Sequence, residues 1–379
     1  MDRPQLLITP LLLVIAQFYS ALHQLALPRT RWIIIGMHVL LLVAIGATQG
    51  VLVDNEALKY TGCARSVLHG DFTDLTGNYL KYAGYILFLL PFVIIDSLWI
   101  TILAQVILGI LAAEALARFT ERISGNVALG RVAMALFLLC PPIQHWALAL
   151  YTEHFFTCMS ILFVERLDRS PSADTATIGL GLLALFARPV GMFFVVPALL
   201  WKFRTRIPAP FSRWAFAVAC LALFAAAISV PRIAAPQLEP IASGQVIAGV
   251  GGVGAEGSTG TTIMDAQRHL LDRVGPSEWA GITLRRVGSL FNLTRPWYST
   301  AHNAINALFF ALYPLAGLGI VRNRRSERIH LVLVILALNI ALVGLTHDEW
   351  SGRFLAPLLP WVIVLASVGL RPGAHRSIP

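Results

Sequence analysis

Apolar runs and short basic clusters alternate along almost the whole chain. Residues 5–27, 32–53, 97–113 and 354–370 hold no Asp, Glu, Lys or Arg. About 20 such residues make a helix long enough to cross ~30 Å of hydrocarbon. In lipid the backbone must satisfy its own hydrogen bonds, which a helix does. Further apolar segments fall at 128–143, 154–166, 174–187, 189–201, 214–231, 303–321 and 329–346. The every-second-residue alternation of a membrane β-barrel is absent. The pattern predicts an all-α, polytopic transmembrane bundle of about ten or eleven helices, forming one module over residues 1–379. Several segments are short for a crossing. Short or broken helices persist where they meet protein or a water-filled cavity. These gather around Pro141-Pro142 and Arg188-Pro189, so a polar cavity is expected there.

Basic residues give the bundle a direction. They cluster at Arg29 and Arg31, at Arg118, Arg122 and Arg131, at Arg166 and Arg169, at 202–213, at 322–328, and at Arg371 and Arg376. Under the positive-inside rule these segments are cytoplasmic. The intervening segments 54–80, 144–153, the turn at 188, 232–302 and 347–353 then face outward. Two apolar runs, 79–95 and 97–117, separate an outer loop from the inner cluster at 118–131, and two crossings would return the chain to the wrong side. The first run carries Lys81, Tyr82, Tyr85 and Pro91. Tyr and Lys suit the headgroup boundary, so it is read as an interfacial helix within an outer region over 54–95. Residues 5–27 read as a retained helix that either crosses or lies on the surface. Residues 243–260, rich in Gly, Ser and Thr, are expected to form a flexible stretch of the 232–302 outer loop.

Composition narrows the class. The chain is 57% hydrophobic and 13% charged, with mean hydropathy +0.71; a soluble domain has about a quarter charged residues. Its net charge of +9 sits in the short inner loops, not in a basic, aromatic-interleaved patch, so no nucleic-acid partner is expected. Cys63, Cys140, Cys158 and Cys220 show neither a disulfide framework nor zinc spacing. The expected location is a cell membrane, with a composition that fits a bacterial inner membrane.

Candidate chemistry gathers in the outward segments. Asp54 and Glu56 open the first outer loop, where partial desolvation can raise a carboxylate pKa and make it a base toward a hydroxyl; the plain alternative is a solvated loop start. Thr152-Glu153-His154 lies between two apolar helices, where ionisable groups are rare and functional; a helix-capping Glu is the alternative. Arg188 is the only charge from Ala176 to Trp201. It needs a carboxylate, a carbonyl or an anionic ligand, and phosphate suits a guanidinium fork. His347-Asp348-Glu349 precedes Arg353. Three adjacent residues rarely converge on one metal ion, so no cofactor is expected and a divalent metal is the minor alternative.

In order and placement these pieces resemble the GT-C superfamily of membrane glycosyltransferases, in particular the branch of protein mannosyltransferases and the lipid A aminoarabinose transferase. The residues carrying the resemblance are Asp54, Tyr60, Ala64-Arg65 and Gly70-Asp71 in the first outer loop, then Thr152-Glu153-His154-Phe155-Phe156. They continue with Arg188-Pro189-Val190-Gly191 and Arg353-Phe354-Leu355-Ala356-Pro357-Leu358-Leu359-Pro360. The resemblance implies inverting transfer of a sugar from a polyprenyl-phosphate donor to a glycan, lipid or protein acceptor at the outer face. It implies Asp54 as base, Glu153 orienting acceptor or sugar, and Arg353 and Arg188 on the donor phosphate. Glu56, Tyr60, His154, Tyr85, Arg285 and His347 would bind substrate, with 232–302 as a lid and acceptor surface. A secondary transporter and a lipid-linked oligosaccharide polymerase or ligase are the alternatives. A transporter would place its charges at mid-membrane between repeats.

Overall fold

Helix starts are set by local side-chain acceptors. Ser97, Asn126, Asp174, Thr262 and Ser299 each accept a backbone N–H from two or three residues ahead, relieving the unpaired donors of a first turn. The structure, a computed structural model, describes residues 24–77, 79–170, 174–204, 209–229, 262–346, 349 and 351–371. Among them there is no strand beyond a single isolated bridge between Leu52 and Ala149. The main helices are α1 (Pro28–Gln49), α2 (Glu56–Leu68), α3 (Ala83–Ile95), α4 (Leu98–Ser124), α5 (Val127–Leu138), α6 (Thr152–Arg169), α7 (Thr175–Leu185) and α8 (Met192–Phe203). Then follow α9 (Ala209–Ser229), α10 (Ile263–Val274), α11 (Pro276–Phe291), α12 (Thr300–Leu308), α13 (Leu312–Arg322), α14 (Glu327–Thr346) and α15 (Leu359–Gly369).

Among the described residues, four stretches are long and apolar enough to cross a membrane: α1, α4, the near-continuous α12–α13, and α14. A fifth is added if α5 and the following Pro141–Leu148 segment, bent by 59°, count as one span. Trp32, Leu40, Ile94, Trp99, Leu221 and Leu308 are all more than half exposed. So much outward apolar surface on long helices is what lipid would cover. The other apolar segments are shorter as helices. The 174–187 and 189–201 runs give α7 and the Pro189–Phe203 segment, broken by Arg188-Pro189, and the 354–370 run becomes helical only from Leu359. The 79–95 run is a helical turn followed by α3, which buries Tyr85, Ile86 and Leu89 against the bundle.

Tight backbone approach sets one edge of the packing. At Gly319 on α13 a Cβ would strike the Leu365 carbonyl, and at Gly369 on α15 one would strike the Leu315 carbonyl. Small residues at such crossings are how helices approach closely. The described part of 232–302 is also helical: α10 and α11 pack on the C-terminal end of α14. Gln267 and the buried Arg286 both donate to the Leu345 carbonyl, at 2.6 and 3.0 Å. Residues 5–23 and 243–260 of the sequence reading lie outside the described residues.

Candidate functional site

The site is assembled at the N-terminal end of α6, where four separate segments meet. The first is tied down by backbone: Leu52 N donates to the Leu148 carbonyl and Leu150 N to the Leu52 carbonyl, both at 3.0 Å. This parallel rung places Asp54 and Glu56 beside Tyr151 and Glu153. Gln105, fully buried on α4, holds the same loop by donating to the Ala147 and Ala149 carbonyls at 3.0 and 3.1 Å. Asn55, between the two acids, turns the chain with a positive φ of 41°, which Asn tolerates better than most residues.

Glu153 is fully buried in the first turn of α6, where a negative charge suits the helix dipole. Its Oε1 pairs with Arg188 Nη1 at 3.3 Å and accepts a short bond from Arg353 Nε. Arg188 Nη1 also donates to the Arg353 carbonyl at 3.1 Å. The two guanidiniums, 165 residues apart in sequence, are therefore locked together. Arg353 Nη2 further approaches Glu56 Oε2 at 3.5 Å, and Tyr60 donates to that same oxygen at 2.7 Å. Tyr151 joins the two halves: its hydroxyl donates to Asp54 Oδ1 at 3.0 Å, and Arg353 lies 5.3 Å from its ring centre.

These contacts set the ionisation. Burial pushes the Glu56 carboxyl up, but the Tyr60 hydroxyl and the positive Arg353 outweigh it and hold it below the ordinary range. Burial, then the Asp54 carboxylate, push the Tyr151 phenol up to about 12. Burial likewise keeps Tyr60 neutral. The cluster thus offers an anionic Glu56, an exposed carboxyl group at Asp54, neutral phenol donors and a partly exposed guanidinium.

Of the residues singled out in sequence, Asp54, Glu56, Tyr60, Glu153, Arg188 and Arg353 come together. Tyr85 is fully buried and donates to Gln105 at 3.2 Å; His154 is buried and donates to the Gln105 carbonyl at 2.9 Å. Both brace the second loop from behind the cluster instead of lining it. Arg285 is exposed on α11, away from these contacts; its neighbour Arg286 is the buried one. His347 lies outside the described residues. Arg65 pairs with exposed Asp96 at 3.4 Å, and Asp71 accepts the Thr73 N–H, so this part of the first-loop motif does local structural work.

Sequence reasoning missed two features. Tyr82 lies within electrostatic reach of Glu56, Glu153, Arg188 and Arg353 and packs edge-on to Tyr60 at 5.1 Å. Glu349 is 3% exposed and accepts four backbone N–H groups, from Ser351, Gly352, Phe354 and Leu355, at 2.5–3.2 Å. It is the keystone of the turn that presents Arg353. Among the described residues no group of three His, Cys, Asp or Glu side chains is placed to hold a metal ion. No protein-family model, no curated protein and no solved structure matches this chain.

Proposed function

We propose that the chain is an integral membrane glycosyltransferase of GT-C type, transferring a sugar from a polyprenyl-phosphate carrier to an acceptor hydroxyl with inversion. The observation that carries the reading is the convergence of Asp54, Glu56, Tyr151 and Arg353 in one cluster at a helix-bundle end. Asp54 is exposed and held from one side by Tyr151. It takes the proton of the acceptor hydroxyl as the hydroxyl oxygen bonds to the anomeric carbon. The bond from that carbon to the phosphate oxygen breaks, and the lipid phosphate leaves with the electron pair. Arg353, with 22% of its side chain exposed, faces this developing charge and is worth most there. Glu153, fully enclosed by Arg188 and Arg353, is a positioning residue for both guanidiniums, not a contact to sugar or acceptor. No nucleotide is needed, since the leaving group is already a phosphate ester.

In this reading the cluster faces the outside of a multi-pass cell membrane, a bacterial inner membrane by composition, and the basic ends at 118–131, 166–169 and 322–328 face the cytoplasm. The four cysteines are buried, so background labelling is low. Outside-only maleimide labelling of Trp297→Cys with Arg325→Cys protected is the expected pattern; the reverse sinks the orientation. Purified protein in proteoliposomes, given a panel of polyprenyl-phosphate sugars, should release free polyprenyl phosphate in step with glycosylated acceptor. Envelope glycans of cells with and without the gene should differ by one sugar. No released polyprenyl phosphate with any donor, and unchanged glycans, would refute the transferase.

A further inference from the structure

A second polar feature shares the Arg353 turn but not its ion pairs. Pro142 and His145, the 292–298 segment with α12, and Ser351–Leu355 enclose a cleft of about 300 Å³ including its open mouth. Its enclosed part holds no more than a water-sized group.

The walls are unusually rich in unused acceptors. Asn306 is 2% exposed. Its Nδ2 donates to the Leu293 carbonyl at 2.9 Å, which fixes the amide orientation, and its Oδ1 has no partner. A buried acceptor left unmet costs about 1–3 kcal/mol, so it marks a place where a donor belongs. Ser351 Oγ is likewise without a partner. The His145 Nδ1 donates to the Pro141 carbonyl at 2.9 Å, which leaves the other nitrogen of the neutral ring as an acceptor. Arg295, also on the wall, is 5% exposed. It donates to the Ser289 carbonyl at 3.0 Å and has Glu349 within electrostatic reach. At the wall, Tyr298 and His302 stack at 4.2 Å between ring centres, and Trp297, 59% exposed, stands 6.4 Å from Tyr298.

This inventory selects a ligand class. A carboxylate or a phosphodiester brings only acceptors, and inorganic phosphate brings its O–H donors together with a negative charge that unmet lone pairs disfavour. Asn306 Oδ1, the second His145 nitrogen and a compensated Arg295 offer such anions little. A neutral polyol brings O–H donors to the unmet lone pairs. A pyranose adds an apolar C–H face that suits the negative face of an aromatic ring. The narrow enclosed space admits one hydroxyl of such a ring while the ring lies across the mouth. On the footing of the transfer reading above, we propose that this cleft is a saccharide subsite, recognising a hydroxyl of a neutral pyranose through Asn306 and Ser351 with Tyr298 as platform. The shared 351–355 turn places it next to Arg353, so it holds the sugar of the acceptor or of the donor at the mouth of the reaction site.

The test is equilibrium binding in phospholipid nanodiscs free of glycoside detergent, followed by intrinsic tryptophan fluorescence. Methyl glycosides of glucose, mannose, galactose, N-acetylglucosamine and arabinose are titrated, with inorganic phosphate as the anionic probe. At least one glycoside should saturate, and phosphate should not compete with it. Ser351→Ala removes a hydroxyl that has no partner, so folding should be unaffected while Kd rises about 5-fold, the worth of one neutral hydrogen bond. Asn306→Ala should weaken binding at least as much. No saturable pyranose, competition by phosphate, or a Ser351→Ala variant with unchanged affinity would overturn the subsite. Pyranose binding that is lost in Ser351→Ala, in a protein that transfers from no polyprenyl-phosphate donor, would retain the subsite and reject the transferase.

Discussion

Helix α6 carries a carboxylate–arginine network at each end, and the two are built from the same residue types. At the C-terminal end Glu165 meets Arg118 and Arg122 at 3.2 and 3.0 Å. Asp168 meets Arg122 and Arg328 at 2.6 and 2.8 Å. At the N-terminal end Glu153 meets Arg188 and Arg353. Asp168 and Glu153 are equally enclosed, with side chains 1% and 0% exposed, and sit roughly 23 Å apart at the helical rise. Charge and burial therefore do not distinguish a reaction site from a clamp. The surroundings do. Around Asp168 the arginines all come from helices, α4 and α14, and join three helices at one point. Arginine exposure does not separate the ends either: Arg118, Arg122 and Arg328 are 45%, 25% and 36% exposed, Arg353 22%. Around Glu153 both arginines come from turns, and an exposed carboxylate, Asp54, and two phenols, Tyr60 and Tyr151, lie beside them. A buried ion pair that adjoins a carboxylate and phenol donors is poised to meet a ligand; one whose charged partners all sit on helices holds those helices together.

Four substitutions at the N-terminal end sharpen that contrast, from the largest effect to the smallest. Glu153→Gln leaves the enclosed Arg188 guanidinium without its counter-charge and takes from Arg353 the nearer of its two carboxylate partners. Thermal or denaturant unfolding in detergent should show a loss of about 3–5 kcal/mol, with transfer abolished. Arg353→Lys keeps the charge but loses the planar fork. Turnover should fall about 100-fold in steady-state assays, with a melting temperature much closer to wild type than that of Glu153→Gln. Glu349→Gln turns one acceptor of a four-bond cap into a donor. A stability loss of about 2 kcal/mol is expected, with turnover falling at unchanged donor binding because the Arg353 turn loosens. Glu56→Gln has the smallest effect and shows in pH. The Glu56 pKa is held below its ordinary 4.5, so its stabilisation is present above that value and fades as pH falls through the depressed folded value. Unfolding curves from pH 6 to pH 3 should lose part of their acid slope in Glu56→Gln; an identical slope would mean the Tyr60 and Arg353 contacts contribute nothing.

Much of this was legible in the chain. Uncharged runs marked α1, α4 and α14 because a long apolar helix leaves a signature that no packing detail alters. Asp54, Glu153, Arg188 and Arg353 stood out because isolated charge beside apolar helices is rare, and these four ended in one place. Their pairing was not legible. Arg188 has a carboxylate, a carbonyl or an anion open to it in sequence; its partners, Glu153 and the Arg353 carbonyl, lie 35 and 165 positions away. Glu349 looked like part of a metal-like triplet because its role depends on a backbone turn that exists only after the chain folds. Tyr82 reads as interfacial in sequence because Lys81 and Tyr85 beside it suit the headgroup boundary, while its neighbours in space are Glu56, Glu153, Arg188 and Arg353. Tyr85 and His154 both contact Gln105, whose bracing role leaves no local pattern.

The direct test of the contrast between the two ends of α6 is a single-turnover transfer assay on Asp54→Asn and Asp168→Asn, in the same proteoliposomes and per folded molecule. The reaction-site reading predicts that Asp54→Asn keeps its melting temperature and loses transfer about 100-fold or more. Asp168→Asn should melt earlier yet transfer at the wild-type rate per folded molecule. Full transfer in Asp54→Asn, or a loss in Asp168→Asn beyond its loss of folded protein, would contradict it.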